Sequence, residues 1–177
     1  AAVGTAESGK YTWNFVSGTA GAIYDSSDEY ADLRISLGSG DSITKDKGIY
    51  FSDSSCKETP TSAKDSNRYL LIKPVYSGKI YLKIQFTNAS KSAKGRIWYN
   101  DLGIDTAFED ADLSVLQKGV GTQLGSDFTD TVAQTLSFDA EAGHLYSIHT
   151  YNRTSYISEL YYESDNIVGK TVTPTIK

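Results

Sequence analysis

The stretch KIYLKIQFT, residues 79–87, contains the clearest strand signal in the chain. Every second residue is apolar, at Ile80, Leu82, Ile84 and Phe86. Between them lie Tyr81, Lys83, Gln85 and Thr87. This period of two predicts a strand with one buried side and one solvent-facing side. The segment just before it predicts a second strand, with the turn YSGK after Pro74 between the two.

Similar short runs, rich in Tyr, Ile, Val, Thr and Phe, recur along the chain between clusters of Gly, Ser, Asp and Asn. They predict further strands at 11–16, 31–37, 48–53, 95–100, 114–119, 131–140, 144–151 and 155–162. EAGH, residues 141–144, predicts a tight turn in which Gly143 takes a positive φ. We find no convincing amphipathic helix, and a parallel sheet would need crossover helices. About ten short strands therefore predict an all-β fold, an antiparallel β-sandwich of jelly-roll type.

The chain length of 177 residues suits a single domain. We expect a flexible N-terminal segment at 1–10, a β-sandwich domain at 11–165, and a final edge strand or linker at 166–177. Residues 101–113 are the best place for an inserted loop or a short helix.

Charge and composition narrow the partners. A net charge of −5 and a pI near 5.0 argue against a nucleic-acid partner, which needs a clustered basic surface. No apolar stretch approaches the roughly 20 residues that span a bilayer, so we expect no membrane insertion. Cys56 is alone, so no intrachain disulfide can form, a count that fits an intracellular protein as well as a secreted one. The small-residue start AAVGTAESG suggests a trimmed fragment or a mature chain, such as one from which a signal peptide has been removed.

Catalytic signatures are scarce. There is no G-x-S-x-G, and the two histidines, His144 and His149, lie five apart in one predicted strand and so point to opposite faces. The one enzyme-like set is His149, Tyr151 and Arg153, in which a Tyr acid or base and an Arg could serve a small polysaccharide lyase. Alternatively, Tyr151 and Arg153 simply line a strand end and its loop.

Two acidic runs offer hard oxygen ligands to calcium. The candidate ligands are Asp25, Asp28, Asp105, Asp110 and Asp112. Neither run matches an EF-hand, and solvated loop charge is the competing interpretation. Solvated loop charge is the favoured interpretation, so we expect no cofactor, with a structural calcium as the one alternative that these runs leave open.

Strand alternation predicts a binding face. If Ile97 and Tyr99 point inward, Arg96, Trp98 and Asn100 point outward. The same reasoning on the neighbouring strands turns further polar and aromatic side chains outward. The resulting predicted binding face consists of Trp98, Tyr81, Tyr151, Arg96, Lys83, Asn100 and His149.

Exposed aromatic rings interleaved with polar groups are what a sugar-binding surface requires, because a pyranose stacks on a ring while its hydroxyls bind polar groups. The alternative is that Trp98 is buried, as tryptophan usually is. Trp13 alternates with Tyr11 and Phe15 and is predicted to be core.

Two segments carry a family resemblance: NRYLLIKPVYSGKIYLKIQFTNASKSAKGRIWYNDLG (67–103) and TLSFDAEAGHLYSIHTYNRTSYISELYYE (135–163). With YTWNF (11–15) they resemble β-sandwich modules appended to pectate lyases and other secreted polysaccharide-degrading enzymes of anaerobic gut bacteria. The resemblance covers residues 11–162 and rests on strand patterning and turns. It implies a secreted or cell-surface carbohydrate-binding module, a polysaccharide ligand and a place in a larger multimodular protein, such as a cellulosome component acting on plant cell walls.

Together these features predict a non-catalytic module that binds a plant or storage polysaccharide and anchors a larger secreted enzyme or cell-surface complex. Two alternatives stay open: a structural or adhesive module of a bacterial surface protein, and the small lyase described above.

Overall fold

The computed structural model describes residues 5–16, 25–27, 29–38, 40–52, 68–87, 94–104, 121–151 and 153–168, and of 25–27 only the backbone. In these residues it shows thirteen strands and no helix. The strands form two antiparallel sheets. The predicted all-β antiparallel sandwich is confirmed.

Sheet A has β13 at its centre, with β8 and then the edge strand β11 on one side. On the other side, β2 pairs with the second half of β13 and β6 with its first half; β1 and β5 lie outside them. The strands of sheet A are β1 (Thr5–Glu7), β2 (Lys10–Asn14), β5 (Ser42–Thr44), β6 (Gly48–Phe51), β8 (Gly78–Phe86), β11 (Gln134–Ala140) and β13 (Ser155–Glu163).

Sheet B runs in the order β10-β9-β12-β7-β4-β3. Its strands are β3 (Asp25–Ser27), β4 (Ala31–Ser36), β7 (Tyr69–Pro74), β9 (Arg96–Ile104), β10 (Thr122–Gln123) and β12 (His144–Tyr151). Successive long strands change sheet: β7, β9 and β12 belong to sheet B, whereas β8, β11 and β13 belong to sheet A. This alternation places chain neighbours in opposite layers of the sandwich.

The core lies between the two sheets. The four apolar residues of β8 are at most 1% exposed and face sheet B, as the period of two predicts. Ile97 and Ile148 face them from sheet B. Each such side chain stabilises the fold by about 1.5–3 kcal/mol through burial. Trp13 is 1% exposed and belongs to this core, which confirms its prediction.

The structure moves several predicted boundaries. β1 already pairs with β2 from Thr5 onward, so the sheet begins within the segment predicted to be flexible. β9 continues through 101–104, which were predicted as the start of a loop or helix. These residues stay in the strand because they pair with the first residues of β12. The predicted strand 114–119 and residues 105–113 lie outside the described residues. Ile167, in the segment predicted as a final edge strand or linker, is buried. Gly143 has a φ of 76°, as predicted.

No helix in the part of the chain that the structure describes has the length and apolar character needed to cross a membrane.

Candidate functional site

The predicted binding face is divided between two sheets. Arg96, Trp98 and Asn100 lie on β9, and Trp98 pairs directly with His149 of β12 in sheet B. Tyr81 and Lys83, in contrast, lie on β8 in sheet A (Gly78–Phe86). Both sets point away from the core, so they occupy opposite outer faces of the sandwich. The prediction of one continuous face is therefore wrong, because alternation fixes a side chain's direction within its own sheet and carries no information about which sheet that is.

Trp98 points away from the inter-sheet core, as predicted, but it is 1% exposed. Its ring stacks on the imidazole of His149, with centroids 5.7 Å apart and planes 22° apart. Tyr151 meets it edge-on at 6.1 Å. A ring enclosed in this way has no surface to offer a sugar, and its exposure on a binding surface was wrongly predicted.

His149 is equally enclosed, at 1% exposure, and its Nε2 lies 3.0 Å from the hydroxyl of Ser147. Burial lowers the pKa of His149 to about 4, because the charged imidazolium would have to leave water. The imidazole is therefore neutral near pH 7. Arg153, the third member of the lyase set with Tyr151, is 2% exposed. Two of the three groups are thus withdrawn from any polymer, and the set does not form an open catalytic surface.

Arg96 is held by Asp127, which lies in the segment between β10 and β11. Its Nε lies 3.0 Å from Oδ1 of Asp127, which also accepts a 2.8 Å hydrogen bond from the Gln123 amide. The hydrogen bonds from Gln123 and Arg96 lower the pKa of the Asp127 carboxyl. A guanidinium held in this ion pair is poorly placed to recognise a uronate.

The calcium candidates cannot be located in this structure: the side chains of Asp25, Asp28, Asp105, Asp110 and Asp112 lie outside the described residues. Within the described ranges, no three His, Cys, Asp or Glu side chains are arranged to hold a metal ion.

The outer face of sheet A carries a different aromatic arrangement, which we call the Tyr81 face. Side chains of β2, β6, β8, β11 and β13 that point away from the core form it. Its members are Lys10, Thr12, Tyr50, Lys79, Tyr81, Lys83, Gln85, Ser137, Asp139, Tyr156, Glu159, Tyr161 and Glu163. None of these residues is fully buried.

Strand register orders the Tyr81 face into rows. One row crosses four strands as Ser137, Tyr81, Tyr161 and Thr12. The Tyr81 and Tyr161 rings stack with centroids 4.6 Å apart and planes 8° apart. The amino group of Lys10 lies 4.3 Å from the Tyr161 ring centroid, on which it makes a cation–π contact. Because Tyr161 covers one side of Tyr81, the side toward the small residue Ser137 is the one that a ligand can contact.

The next row is charged and alternates in sign through Asp139, Lys79, Glu163 and Lys10. The pKa of Tyr81 is raised, mainly by desolvation and to a smaller extent by the hydrogen bond to Glu163 and the negative charge of that carboxylate. Tyr81 therefore stays neutral at physiological pH, with its hydroxyl donating to the Glu163 carboxylate.

An open depression of about 460 Å³ lies beside Tyr81, at the end of sheet A. Lys79, Asp139, Glu163 and Asp165 supply charged groups to its wall. Gly78 forms part of the floor, and a Cβ there would overlap the carbonyl oxygen of Glu163, so close strand approach requires glycine. The volume of this depression falls within the range of small-molecule sites, and its polar groups suit hydroxyl-rich ligands.

A second tyrosine pair lies at the other end of the same face. Tyr50 and Tyr156 have centroids 5.1 Å apart, and the Lys47 amino group lies 5.0 Å from the Tyr156 ring. Tyr156 pairs with Gln85, four residues beyond Tyr81, which corresponds to about 13 Å along the strand. This pair is a chemically matched reference for Tyr81.

The sequence reasoning missed Tyr161 and Glu163 because of a β-bulge. The register between β13 and β8 shifts between Ile157 and Glu159. Uninterrupted alternation from Ile157 would turn Tyr161 inward, whereas the bulge turns Leu160 and Tyr162 inward instead. The adjacent pair Glu159–Leu160 was the available signal, since a charged residue and then an apolar one break the pattern of Ile157.

The sequence matches no protein-family model and no protein of curated function. Solved structures that match this chain include a cleaved adhesin domain of Lys-gingipain from Porphyromonas gingivalis, with a TM-score of 0.46 and 12% identity over 88% of this chain and 98% of that one. The xylan-binding module CBM15 matches with a TM-score of 0.41 and 8% identity, over 81% and 96%. A family 35 carbohydrate-binding module from Clostridium thermocellum matches with a TM-score of 0.34 and 11% identity, over 92% and 97%.

Two of these structures are carbohydrate-binding modules. At such low identity they say nothing about which residues of this chain bind a ligand.

Proposed function

We propose that this protein is a non-catalytic carbohydrate-binding module that binds a polysaccharide at Tyr81 and the depression beside it, at one end of the Tyr81 face and away from Tyr156. The observation that supports the proposal most is the partly exposed Tyr81 ring beside the depression of about 460 Å³. A sugar ring that stacks on Tyr81 brings its hydroxyls within reach of Lys79, Asp139 and Glu163. Stacked aromatics with polar neighbours are the minimum that pyranose binding requires.

Preorganisation strengthens this interpretation. Tyr161 stacks on Tyr81, and Lys10 lies over Tyr161, so the ring is held before a ligand arrives. A ligand that meets a fixed ring pays less ordering entropy on binding. The surface is shallow, and we expect dissociation constants in the micromolar to millimolar range.

We propose that the module belongs to a secreted or cell-surface protein of several modules. Its role there is to hold an attached enzyme or complex against a plant or storage polysaccharide. Its own surface supplies adhesion to the polymer, and any bond cleavage belongs to an adjoining module.

Pull-down on insoluble glycans and affinity electrophoresis in soluble glycans test the proposal. We expect the wild-type protein to be retained by at least one polysaccharide. Tyr81→Ala should weaken binding by about tenfold, the equivalent of 1.4 kcal/mol and the upper end of what a stacked ring contributes. The matched control Tyr156→Ala removes the same side chain from the same sheet face and should leave retention unchanged.

Lack of retention of the folded wild type on every glycan would overturn the proposal and leave the adhesive or structural module in its place. Formation of an unsaturated uronate that absorbs in the ultraviolet would instead establish the lyase.

A further inference from the structure

A second depression adjoins the one beside Tyr81. It measures about 250 Å³ and lies where the edge strand β11 of sheet A meets β9 and β10 of sheet B. Tyr99, Asn100, Thr122 and Glu141 are among its lining residues. Asp139 contributes to the walls of both depressions. The two hollows therefore meet at a single residue on the rim of the sandwich.

The walls of the second depression are fixed by packing. Tyr99 stacks on Phe138 with centroids 4.0 Å apart and planes 11° apart. The hydroxyl of Tyr146 accepts a 2.7 Å hydrogen bond from the backbone N–H of Glu141. These contacts tie sheet B to the end of β11, so the hollow exists without a ligand. Preformed concave sites of this kind are where ligands bind.

Asp139 does not block the passage between the hollows. Its side chain is 91% exposed, and its contact with the Lys79 amino group is long, at 3.8 Å. A ligand that leaves the Tyr81 side can therefore pass over Asp139 and reach Tyr99 and Asn100 without displacing a packed side chain.

Charge sets the class of ligand. The two hollows together are lined by five carboxylates and one lysine: Asp101, Asp139, Glu141, Glu163, Asp165 and Lys79. The imidazole of His144 contacts the Asp101 and Glu141 carboxylates, at 3.0 and 3.1 Å, and the other three carboxylates lie along the path from Tyr81. A uronate or sulfated chain would meet like charge along this path, which costs binding energy. Neutral sugars instead donate their hydroxyl hydrogens to carboxylate oxygens, and such charge-assisted hydrogen bonds are stronger than neutral ones.

We infer that the ligand is an extended neutral glycan that crosses the rim of the sandwich over Asp139 and occupies both depressions at once. This inference rests on the proposed function and specifies the ligand's charge, length and path. Two connected subsites make the second contact intramolecular, so affinity rises with chain length until both are filled.

The test is calorimetric titration with ladders of xylo-, cello-, manno- and malto-oligosaccharides, from disaccharide to octasaccharide, in the series that retains the wild type. We expect affinity to rise by about tenfold or more along the ladder and then to level off. Thr122→Arg places a long side chain into the second depression from an exposed position. It should reduce the affinity of long oligomers to that of short ones and leave the short ones unchanged. Val132→Arg is the control: it adds the same side chain at an exposed position that lines neither depression, and it should bind like the wild type.

The outcomes separate the two claims. Wild-type binding of long oligomers by Thr122→Arg, with Tyr81→Ala impaired, would overturn the two-depression path and leave the proposed function intact. Displacement of the bound neutral oligomer by polygalacturonate at equal sugar concentration would overturn the assignment of a neutral ligand. Failure of the wild type to bind any glycan would overturn the proposed function itself.

Discussion

Replacing Trp98 by alanine should lower the free energy of unfolding and leave the sugar-binding surface unaffected. The indole is 1% exposed, stacks on His149 and meets Tyr151 edge-on, so truncation leaves a cavity that the rigid sheet fills only in part. Large-to-small changes of this kind cost about 3–5 kcal/mol. For a domain of this size each kcal/mol lowers the melting temperature by about 2–4 °C, which predicts a decrease of about 6–20 °C.

Thermal unfolding followed by circular dichroism, together with glycan retention below the transition, measures both consequences. Tyr81→Ala is the matched comparison: it should cost about 0.5–1.5 kcal/mol of stability, the contribution of one stacked aromatic pair, yet weaken glycan binding by about tenfold. The reasoning would be refuted if Trp98→Ala melted like the wild type and lost retention. That result would make Trp98 the exposed platform that strand alternation first suggested.

Two further predictions concern titratable side chains that are buried. Because the pKa of His149 is about 4 in the folded protein against 6.5 for a free histidine, the unfolded chain binds the extra proton between these values. The contribution of His149 to the free energy of unfolding should be fully present above pH 6.5, fall by about 3 kcal/mol as the pH drops toward 4, and change no further below it. His149→Gln should flatten that part of the plot of urea midpoint against pH. An unchanged slope in the variant would contradict the assignment. Asp41 and Arg68 form a 2.7 Å ion pair with side chains 0% and 7% exposed. Asp41→Ala should therefore cost about 3–5 kcal/mol in urea denaturation, whereas Lys83→Ala, which breaks the more exposed pair with Glu159, should cost less than about 1 kcal/mol. Equal costs would show that the Asp41 pair is solvated.

Much of the fold could be predicted because one-sided burial enforces a period of two. The alternation in 79–87 correctly gave the direction of Tyr81 and its neighbours, and Gly143 marked the turn before β12. The very short strands β1, β5 and β10 escaped prediction, since two or three residues carry too little periodicity to stand out.

The candidate site was harder to predict because it depends on relations that lie between strands. Tyr81 and Trp98 both point away from the core, but β8 and β9 belong to different sheets, and the sequence of a sandwich does not say which strands are neighbours. Tyr161 was missed because a bulge in β13 reverses the alternation within one strand. The burial of Trp98 is a tertiary property that no local pattern shows.

The central claim is that a glycan binds at Tyr81 and not at Trp98, and amide chemical-shift mapping tests it most directly. On titration with the retained oligosaccharide, we expect the largest shifts at the backbone amides of Gly78, Tyr81 and Glu163, while the indole N–H of Trp98 stays unchanged. Shifts concentrated at Trp98, Arg96 and Tyr151, with the Tyr81 face silent, would contradict the account.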